Sequence, residues 1–497
     1  MKRKLLSPIT ILMIVIVVAA IATWLVPAGR YDTLAFQDNT FKYHTDSGEI
    51  NVSFSQKTLD SLHILIPPAK FSSGAIRKAV AVPGTFHVMP ENSQGPIDIL
   101  EAPLKGIMDS IDIILFLFII GGFMKVFHET GAMVKGLTSL SYKMKGREAW
   151  LIITLTFLFS FAGASYGMAE EALVFYPVMV PLFLAAGYDL LVPVAVIFGG
   201  TQLGTLSSFT NPFSTIIASN AAGVNWADGL GGRVLMFAIS TGVTIWYLVR
   251  YAQKVKKDPS KSIVLRTDGV TISPYETIKS AEAAAPLSMR TQGLLMLFLF
   301  TFLTMIAGVV FFDWWLTEMT ALFLGVSILI AVITRTGENK FLSQFIKGAE
   351  EMLAVAFIVG VARGVTIILN DGHISDSVLY YSTQLVSGMA PSLFIIVLLI
   401  LFIIFTLFIS SSSGMAVLTM PIIGGLAVMV NVPGREIVNS YLFGMGIMGF
   451  MTPTGLILPS LALVNVSLKA WWKFIYPLLI LLFIICALFL IIGIHLK

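Results

Sequence analysis

The sequence predicts an all-α polytopic membrane protein made of two inverted repeats. Each repeat carries a re-entrant hairpin and a broken helix, and a small extracytoplasmic segment is added. Three observations predict this. Hydrophobic residues fill 56% of the 497 positions and charged residues only 12%, against about 25% charged in soluble domains. Basic residues collect in alternate loops. A Ser-x-Gly-Met-Ala turn occurs twice, each time followed by a second break about forty residues on.

The first element lies at the N-terminus, where Lys2-Arg3-Lys4 precede an uncharged run from Leu5 to Gly29. Ala20-Ile21-Ala22 has the form of a cleavage motif. The run nevertheless exceeds the roughly 7–15 residues of a signal-peptide core, and about 20 apolar residues span a bilayer. Residues 1–26 are therefore read as a first membrane helix with a cytoplasmic N-terminus. Residues 27–105 are water-exposed in composition, with seven Lys/Arg, eight Asp/Glu and turn signals at Pro67-Pro68, Pro83-Gly84 and Gly95-Pro96. Within them Ile64-Leu65-Ile66 and Val80-Ala81-Val82 read as short strands. This is a small extracytoplasmic cap rather than a catalytic domain.

Apolar segments follow near 107–127, 150–187, 190–226, 234–249, 291–312, 316–334, 345–369, 392–430, 436–467 and 473–494. Lys and Arg mark cytoplasmic loops. Five lie from Lys125 to Arg147, eight from Arg250 to Arg290, three from Arg335 to Lys347 and two at Lys469 and Lys473. With the N-terminal triplet these are 21 of the 32 basic residues, and among the opposite loops Arg233 and Arg435 are the exceptions. The alternation holds only if 150–187 and 392–430 return to the side they left. Nine spanning segments plus two hairpins result. A first repeat covers 106–252, with hairpin 150–187 and broken helix 190–226. A cytoplasmic loop (253–290) and connecting scaffold helices (291–334) lead to a second repeat over 345–497, with hairpin 392–430 and broken helix 436–467.

The first hairpin turns at Ser165-Tyr166-Gly167-Met168-Ala169 and the second at Ser412-Ser413-Gly414-Met415-Ala416. The later breaks are Thr210-Asn211-Pro212-Phe213-Ser214 and Thr452-Pro453-Thr454-Gly455. Pro removes an N–H and Gly relaxes the backbone. An unpaired backbone group in a bilayer costs several kcal/mol, so such breaks persist only where protein, water, ion or substrate satisfies them. Matched breaks in opposed repeats point to a midplane binding site, in which helix N-termini face an anionic group and freed carbonyls or hydroxyls hold a cation. Ordinary proline kinks are the plainer alternative, and four breaks at corresponding places argue against it. The candidate substrate-binding residues at these breaks are Ser165, Gly167, Thr210, Asn211, Ser214, Ser412, Ser413, Gly414, Thr452 and Thr454.

Glu170, Glu171 and Arg363 complete the set. A central charge costs about 2.5–3.5 kcal/mol or more in a bilayer, so intramembrane ionisable residues are functional candidates. Neighbours on a helix diverge by about 100°. One Glu is therefore expected at the site and the other against Arg363 or a hairpin N–H, while the plain alternative has both capping the hairpin's second helix. Arg363 reads first as an ion-pair partner and second as a substrate anchor. Lys125, on the analogous helix of the first half, reads as a snorkelling interface residue.

No Ser/His/Asp grouping, phosphate-cradling loop or Walker motif occurs, so neither an enzyme nor an ATP-driven pump is supported. Cys486 is the single cysteine, which excludes an internal disulfide and a Cys/His metal spacing. No nucleic-acid stripe is present, and no cofactor or metal is expected.

At Phe161-Ala-Gly-Ala-Ser-Tyr-Gly-Met-Ala-Glu-Glu-Ala172, Ser208-Phe-Thr-Asn-Pro-Phe213, Ser412-Ser-Gly-Met-Ala-Val-Leu-Thr-Met-Pro421 and Thr23-Trp-Leu-Val-Pro-Ala-Gly29, the sequence resembles the DcuC/YfcC group of four-carbon dicarboxylate and basic amino-acid carriers within the ion-transporter superfamily. The resemblance implies a scaffold and a mobile transport domain, made of the hairpins and broken helices, working by elevator-type alternating access. Wider relatives bind sodium at Ser-Asn-Thr hairpin tips, and Ser165-Tyr166-Gly167 and Ser412-Ser413-Gly414 depart from that pattern.

The expectation is an ion-coupled (Na+ or H+) or exchanging secondary transporter in a bacterial cytoplasmic membrane. Its substrate is expected to be an amino acid or related zwitterionic or cationic compound. The support is an acidic pair in a core without Lys or Arg over 149–227 and 377–434. A dicarboxylate carrier using Arg363 is the second reading, and a non-transporting sensor or anchor displaying residues 27–105 is the third. Membrane lipid, a small-molecule substrate and a homodimer are the expected partners.

Overall fold

The computed structural model describes residues 7–495 except 38, 46–47, 73–75, 77–78, 144–145, 166, 271–272, 274, 276–286, 313, 315, 387–388 and 430–431. Lys2-Arg3-Lys4, Tyr166 and most of the loop after residue 270 thus lie outside the described residues. Helix α1 (Pro8–Leu25) starts at Ser7, whose hydroxyl accepts the Thr10 N–H at 3.2 Å, with Pro8 in the first turn.

The cap is a small α/β unit. Strands β1 (Gly29–Arg30), β2 (Thr33–Gln37), β3 (Thr40–Thr45) and β4 (Gly48–Val52) precede helices α2 (Gln56–Ser61) and α3 (Pro68–Ser72), then β5 (Val80–Ala81) and β6 (His87–Val88). One antiparallel sheet runs β4-β3-β2-β5, and β1 pairs separately with β6. Leu34 and Phe41 of its inner face are buried with Leu59, Ile66 and Phe71. The expected strand at Val80–Ala81 is present, but Ile64-Leu65-Ile66 is irregular chain: Ile64 and Ile66 are buried as loop residues. The antiparallel strands β2, β3 and β4 were not foreseen, because their polar residues on the water side dilute a period-2 pattern.

Two blocks of helices follow. The first comprises α4 (Pro96–Asp109), α5 (Ile111–Glu129), α6 (Ala132–Lys143), α7 (Glu148–Ser165), a 3-10 turn (Glu170–Phe175), α8 (Tyr176–Ala185), α9 (Leu191–Leu206), a π turn (Pro212–Ile216), α10 (Ile217–Ala221) and α11 (Leu230–Lys257). Then come α12 (Ile263–Asp268), α13 (Met289–Phe312) and α14 (Leu316–Thr334). The second block comprises α15 (Glu338–Glu351), α16 (Leu353–Asp371), α17 (Ser375–Val386), α18 (Pro391–Phe408), α19 (Ser412–Met429), α20 (Gly434–Gly449), α21 (Ile457–Ala462) and α22 (Leu468–His495).

The order recurs with matched lengths. α4 and α15 have 14 residues, α5 and α16 have 19, α6 and α17 have 12. α7 and α18 have 18, α9 and α20 have 16, α11 and α22 have 28. The packing recurs too, since α7 lies along α9 as α18 lies along α20. α4–α5 run antiparallel along α15–α16, so closely that a Cβ on Gly106 would sit 2.3 Å from the Gly360 carbonyl and one on Gly121 2.4 Å from that of Gly348. The helices therefore divide into one set around α1, α4–α5 and α13–α16 and another around α7–α11 and α18–α22.

Among the described residues seven helices are long and apolar enough to cross a membrane: Pro8–Leu25, Ile111–Glu129, Glu148–Ser165, Trp226–Lys257, Leu316–Thr334, Leu353–Asp371 and Leu468–His495. The chain is thus an integral membrane protein. Glu148–Ser165, expected as the first limb of a hairpin, is by length one of the seven.

Candidate functional site

The first turn and the first break form one structure. α7 ends at Ser165, and its last carbonyls would be orphans. Ala162 O accepts the N–H of Gly167 at 3.1 Å, and Ala164 O accepts those of Phe209 and Thr210 at 3.1 and 3.2 Å. Gly163 O takes Asn211 Nδ2 at 3.0 Å, and Ser165 O takes the Thr210 hydroxyl at 3.0 Å. Asn211 also caps the next turn, its Oδ1 accepting the N–H groups of Phe213 and Ser214 at 2.9 and 3.2 Å. Gly167 holds φ +86 against it; a Cβ there would lie 2.7 Å from Asn211 Oδ1. Ser214 donates to Ser208 Oγ at 3.3 Å, within a buried hydroxyl chain that includes a very close Ser208–Thr215 contact. Ser165, Gly167, Thr210, Asn211 and Ser214 are thus brought together.

The second half is built differently. α20 stops at Gly449 and α21 begins at Ile457, as the Thr452-Pro453-Thr454-Gly455 break predicts. The freed carbonyls are taken by indoles: Trp471 Nε1 donates to Phe450 O at 2.8 Å and Trp472 Nε1 to Met451 O at 3.3 Å. The Thr452 and Thr454 hydroxyls bond each other at 2.7 Å. The turn between α18 and α19 falls at Ile409–Ser411 rather than at Ser412–Ala416, which is a correction. Ser411 is the reason: its hydroxyl and carbonyl accept the N–H groups of Gly414 and Met415, so Ser412, Ser413 and Gly414 form the first turn of α19. In both halves carbonyls expected to await a cation already hold protein donors.

The charged residues sit along α4–α5 and α15–α16. Lys105 pairs with Asp371 at 3.2 Å and Lys125 with Glu351 at 3.1 Å; Lys125 is an ion-pair residue rather than a free snorkel. Twenty residues separate the two pairs on each strand of helix, no more than about 30 Å, which is the thickness of a hydrocarbon core. Between them Arg363 Nε meets Asp109 Oδ2 at 2.5 Å, so Arg363 pairs with Asp109 and not with either Glu. Its ion-pair role holds, with a different partner. Glu171 Oε2 accepts the Ala169 N–H at 2.9 Å, which is the capping alternative for that residue. Glu170 has Arg363 and Asp112 as its charged neighbours.

Asp109 and Asp112 were not among the sequence candidates, although the rule that singled out Glu170 applies to them. They flank Ser110, where α4 passes into α5, and Asp109 stands out only through its ion pair with Arg363 of α16. From the opposite face a cavity of about 740 Å³ opens between α5, α8, α15 and the end of α21. Lys125, His128 and Glu351 line it together with Leu117, Leu173 and Val355, and Leu117 and Leu173 lie five and three residues along the chain from Asp112 and Glu170.

The C4-dicarboxylate anaerobic carrier (DcuC) family profile matches residues 5–495. An uncharacterized protein of Haemophilus influenzae is 37% identical over 99% of this chain and 97% of its own length. Escherichia coli YfcC, provisionally named as a basic amino acid antiporter, is 28% identical over 97% of this chain and 95% of its own. Among solved structures, Neisseria gonorrhoeae MtrF, presented as illuminating a class of antimetabolite efflux pumps, aligns over 99% of this chain and 96% of its own at 16% identity and TM-score 0.40. The Alcanivorax borkumensis YdaH transporter aligns over 99% and 98% at 12% and 0.41. Neither overlay reaches the level at which a shared fold follows.

Proposed function

The chain belongs to the DcuC family of C4-dicarboxylate anaerobic carriers, and from that membership we propose that it is a secondary active transporter of a cationic or zwitterionic amino acid in a bacterial cytoplasmic membrane. The two helical blocks are inverted repeats, as their matched lengths and the antiparallel pairing of α4–α5 with α15–α16 support. Residues 150–187 and 392–430 are re-entrant hairpins, and with the broken helices they form a unit that moves as an elevator against the scaffold around α1, α4–α5 and α13–α16. The cavity at the Lys125 end is its cytoplasmic vestibule. Transport is coupled to Na+ or H+ or proceeds by exchange, and the carrier works as a homodimer.

One observation supports the substrate class. Between the two ion pairs Lys105–Asp371 and Lys125–Glu351, Asp109 holds Arg363, Glu170 has Arg363 and Asp112 as charged neighbours, and Glu171 adjoins Glu170. Among the described residues four carboxylates thus share this region with the one cation Arg363. A dianion there would face uncompensated negative charge, whereas an ammonium or guanidinium group relieves it. The name of YfcC agrees with this. The break residues from Ser165 to Ser214 and from Ser412 to Thr454 supply the polar wall, and Glu170 is the principal anchor.

A dicarboxylate substrate is the second reading, favoured by the family description and by Arg363. Thermal-shift titrations of the purified protein with arginine, ornithine, succinate and malate separate the two. Arginine or ornithine stabilisation that Glu170→Gln removes supports the first. Succinate stabilisation that Arg363→Ala removes and Glu170→Gln leaves intact overturns it.

A further inference from the structure

The cap on residues 27–95 has no role in the site described above, yet it touches both sets of helices. Its hold on the ends of α1 and α16 is by hydrogen bonds, and Phe86 also stacks on Tyr380 of α17 at 4.0 Å. Gln94 N donates to Thr23 Oγ1 at 2.8 Å at the end of α1, and Asn92 Nδ2 donates to the Asp371 carbonyl at 2.8 Å at the end of α16. The chain also enters the cap from α1 and leaves it into α4, so the cap moves with the scaffold.

Its contact with the other set is of another kind. Leu65, in the irregular stretch between α2 and α3, sits directly on Gly223, just beyond α10. A Cβ added to Gly223 would lie 2.6 Å from both Leu65 Cβ and the Leu65 carbonyl oxygen. Gly223 also has φ +69, so two features reserve that place for glycine. β5 lies against α19 beside it, and α19 packs on α10. The seat is thus formed by the outer end of the first broken helix and the second limb of the second hairpin. The Leu65 backbone and Cβ touch Gly223 directly while about half of Leu65 (49%) stays exposed, and the cavity lies at the Lys125 end of the helices.

We propose that the cap is the outer latch of the transporter. Rigid with the scaffold, it closes the extracytoplasmic side by seating Leu65 on Gly223 while the cytoplasmic vestibule is open. This contact must part for the carrier to open outward. The inference rests on the alternating-access reading, because only relative motion of the two sets gives the contact anything to gate.

The test uses the full-length Cys486→Ser protein, whose remaining sequence has no cysteine, carrying Leu65→Cys and Gly223→Cys. A disulfide needs a Cβ separation of about 3.5–4.5 Å, so a shift of about 1 Å closes the pair. Leu65→Cys alone is the second measurement in case the strained site does not fold: its labelling by a membrane-impermeant maleimide is expected to quicken during exchange, and an unchanged rate would overturn the latch. In liposomes loaded with arginine or succinate, the oxidised pair is expected to lose at least about tenfold of its exchange of labelled solute. Reduction is expected to restore it, and Leu65→Cys alone to keep it. Full exchange through the oxidised, crosslinked protein would overturn the latch and leave the transport reading standing. No flux of either solute from the reduced protein would overturn the transport reading and the latch with it.

Discussion

Glu171 spends an oxygen on the Ala169 N–H at 2.9 Å, while Glu170 has Arg363 and Asp112 for charged neighbours. The adjacent acids therefore answer differently to neutralisation. Glu170→Gln removes a charge-assisted contact of about 1.5–3 kcal/mol, so arginine affinity should fall about ten- to a hundredfold, as isothermal titration would read. Glu171→Gln keeps an acceptor for Ala169 and should weaken binding by less. At the cap, Asp376 accepts the Tyr31 N–H at 2.9 Å, and burial pushes its carboxyl above the usual carboxylate range, although Arg30 opposes this. A carboxyl raised in the folded state makes the fold bind protons more readily than the unfolded chain, so its penalty is complete above the folded pKa and fades as pH falls through it. Asp376→Asn should accordingly raise Tm near about pH 8, and the gain should shrink toward about pH 5; a variant less stable at the higher pH would contradict this. Glu170, Glu171 and Arg363 were legible as charges inside apolar runs. Asp109 and Asp112 were not, because they sit near the start of such a run and the partner of Asp109 lies 254 residues away in sequence.

At the scale of elements, the proline and glycine breaks were readable from composition, but their partners were not. Backbone groups freed inside a membrane must be satisfied, and nothing in Thr452-Pro453-Thr454-Gly455 announces that the donors are Trp471 and Trp472. Trp471→Phe orphans the Phe450 carbonyl and should cost about 1–3 kcal/mol, seen as a lower Tm in detergent. The turn before α19 was misplaced by a few residues because four consecutive serines, Ser410 to Ser413, can each cap a helix and Ser411 is the one that does. Helix pairs depend on glycine as well: a Cβ at Gly204 would lie 2.3 Å from the Ser160 carbonyl, between α7 and α9. Gly204→Leu should therefore cost about 1–3 kcal/mol or more through overpacking. Gly231→Ala, where nothing lies within 4 Å, should be neutral in the same melt.

Across the whole molecule, the recurrence of helix order was foreshadowed by one repeated turn motif and by the charge bias of the loops. Equal lengths and the glycine-packed antiparallel seam became visible only in three dimensions. The cap's hairpin was hidden by its half-wet strands, and its seat on Gly223 by a contact that sequence spacing cannot encode. The helices bearing Arg363, Asp109 and Asp112 thus lie beside the turn bearing Glu170. On the proposed reading, the acid surplus there selects a cationic substrate. Exchange of labelled arginine into ornithine-loaded proteoliposomes, with a parallel succinate arm, measures this most directly. The charge balance predicts saturable arginine uptake that Glu170→Gln cuts by at least about tenfold, with no succinate flux. Succinate uptake without arginine uptake, abolished by Arg363→Ala and indifferent to Glu170→Gln, would contradict it.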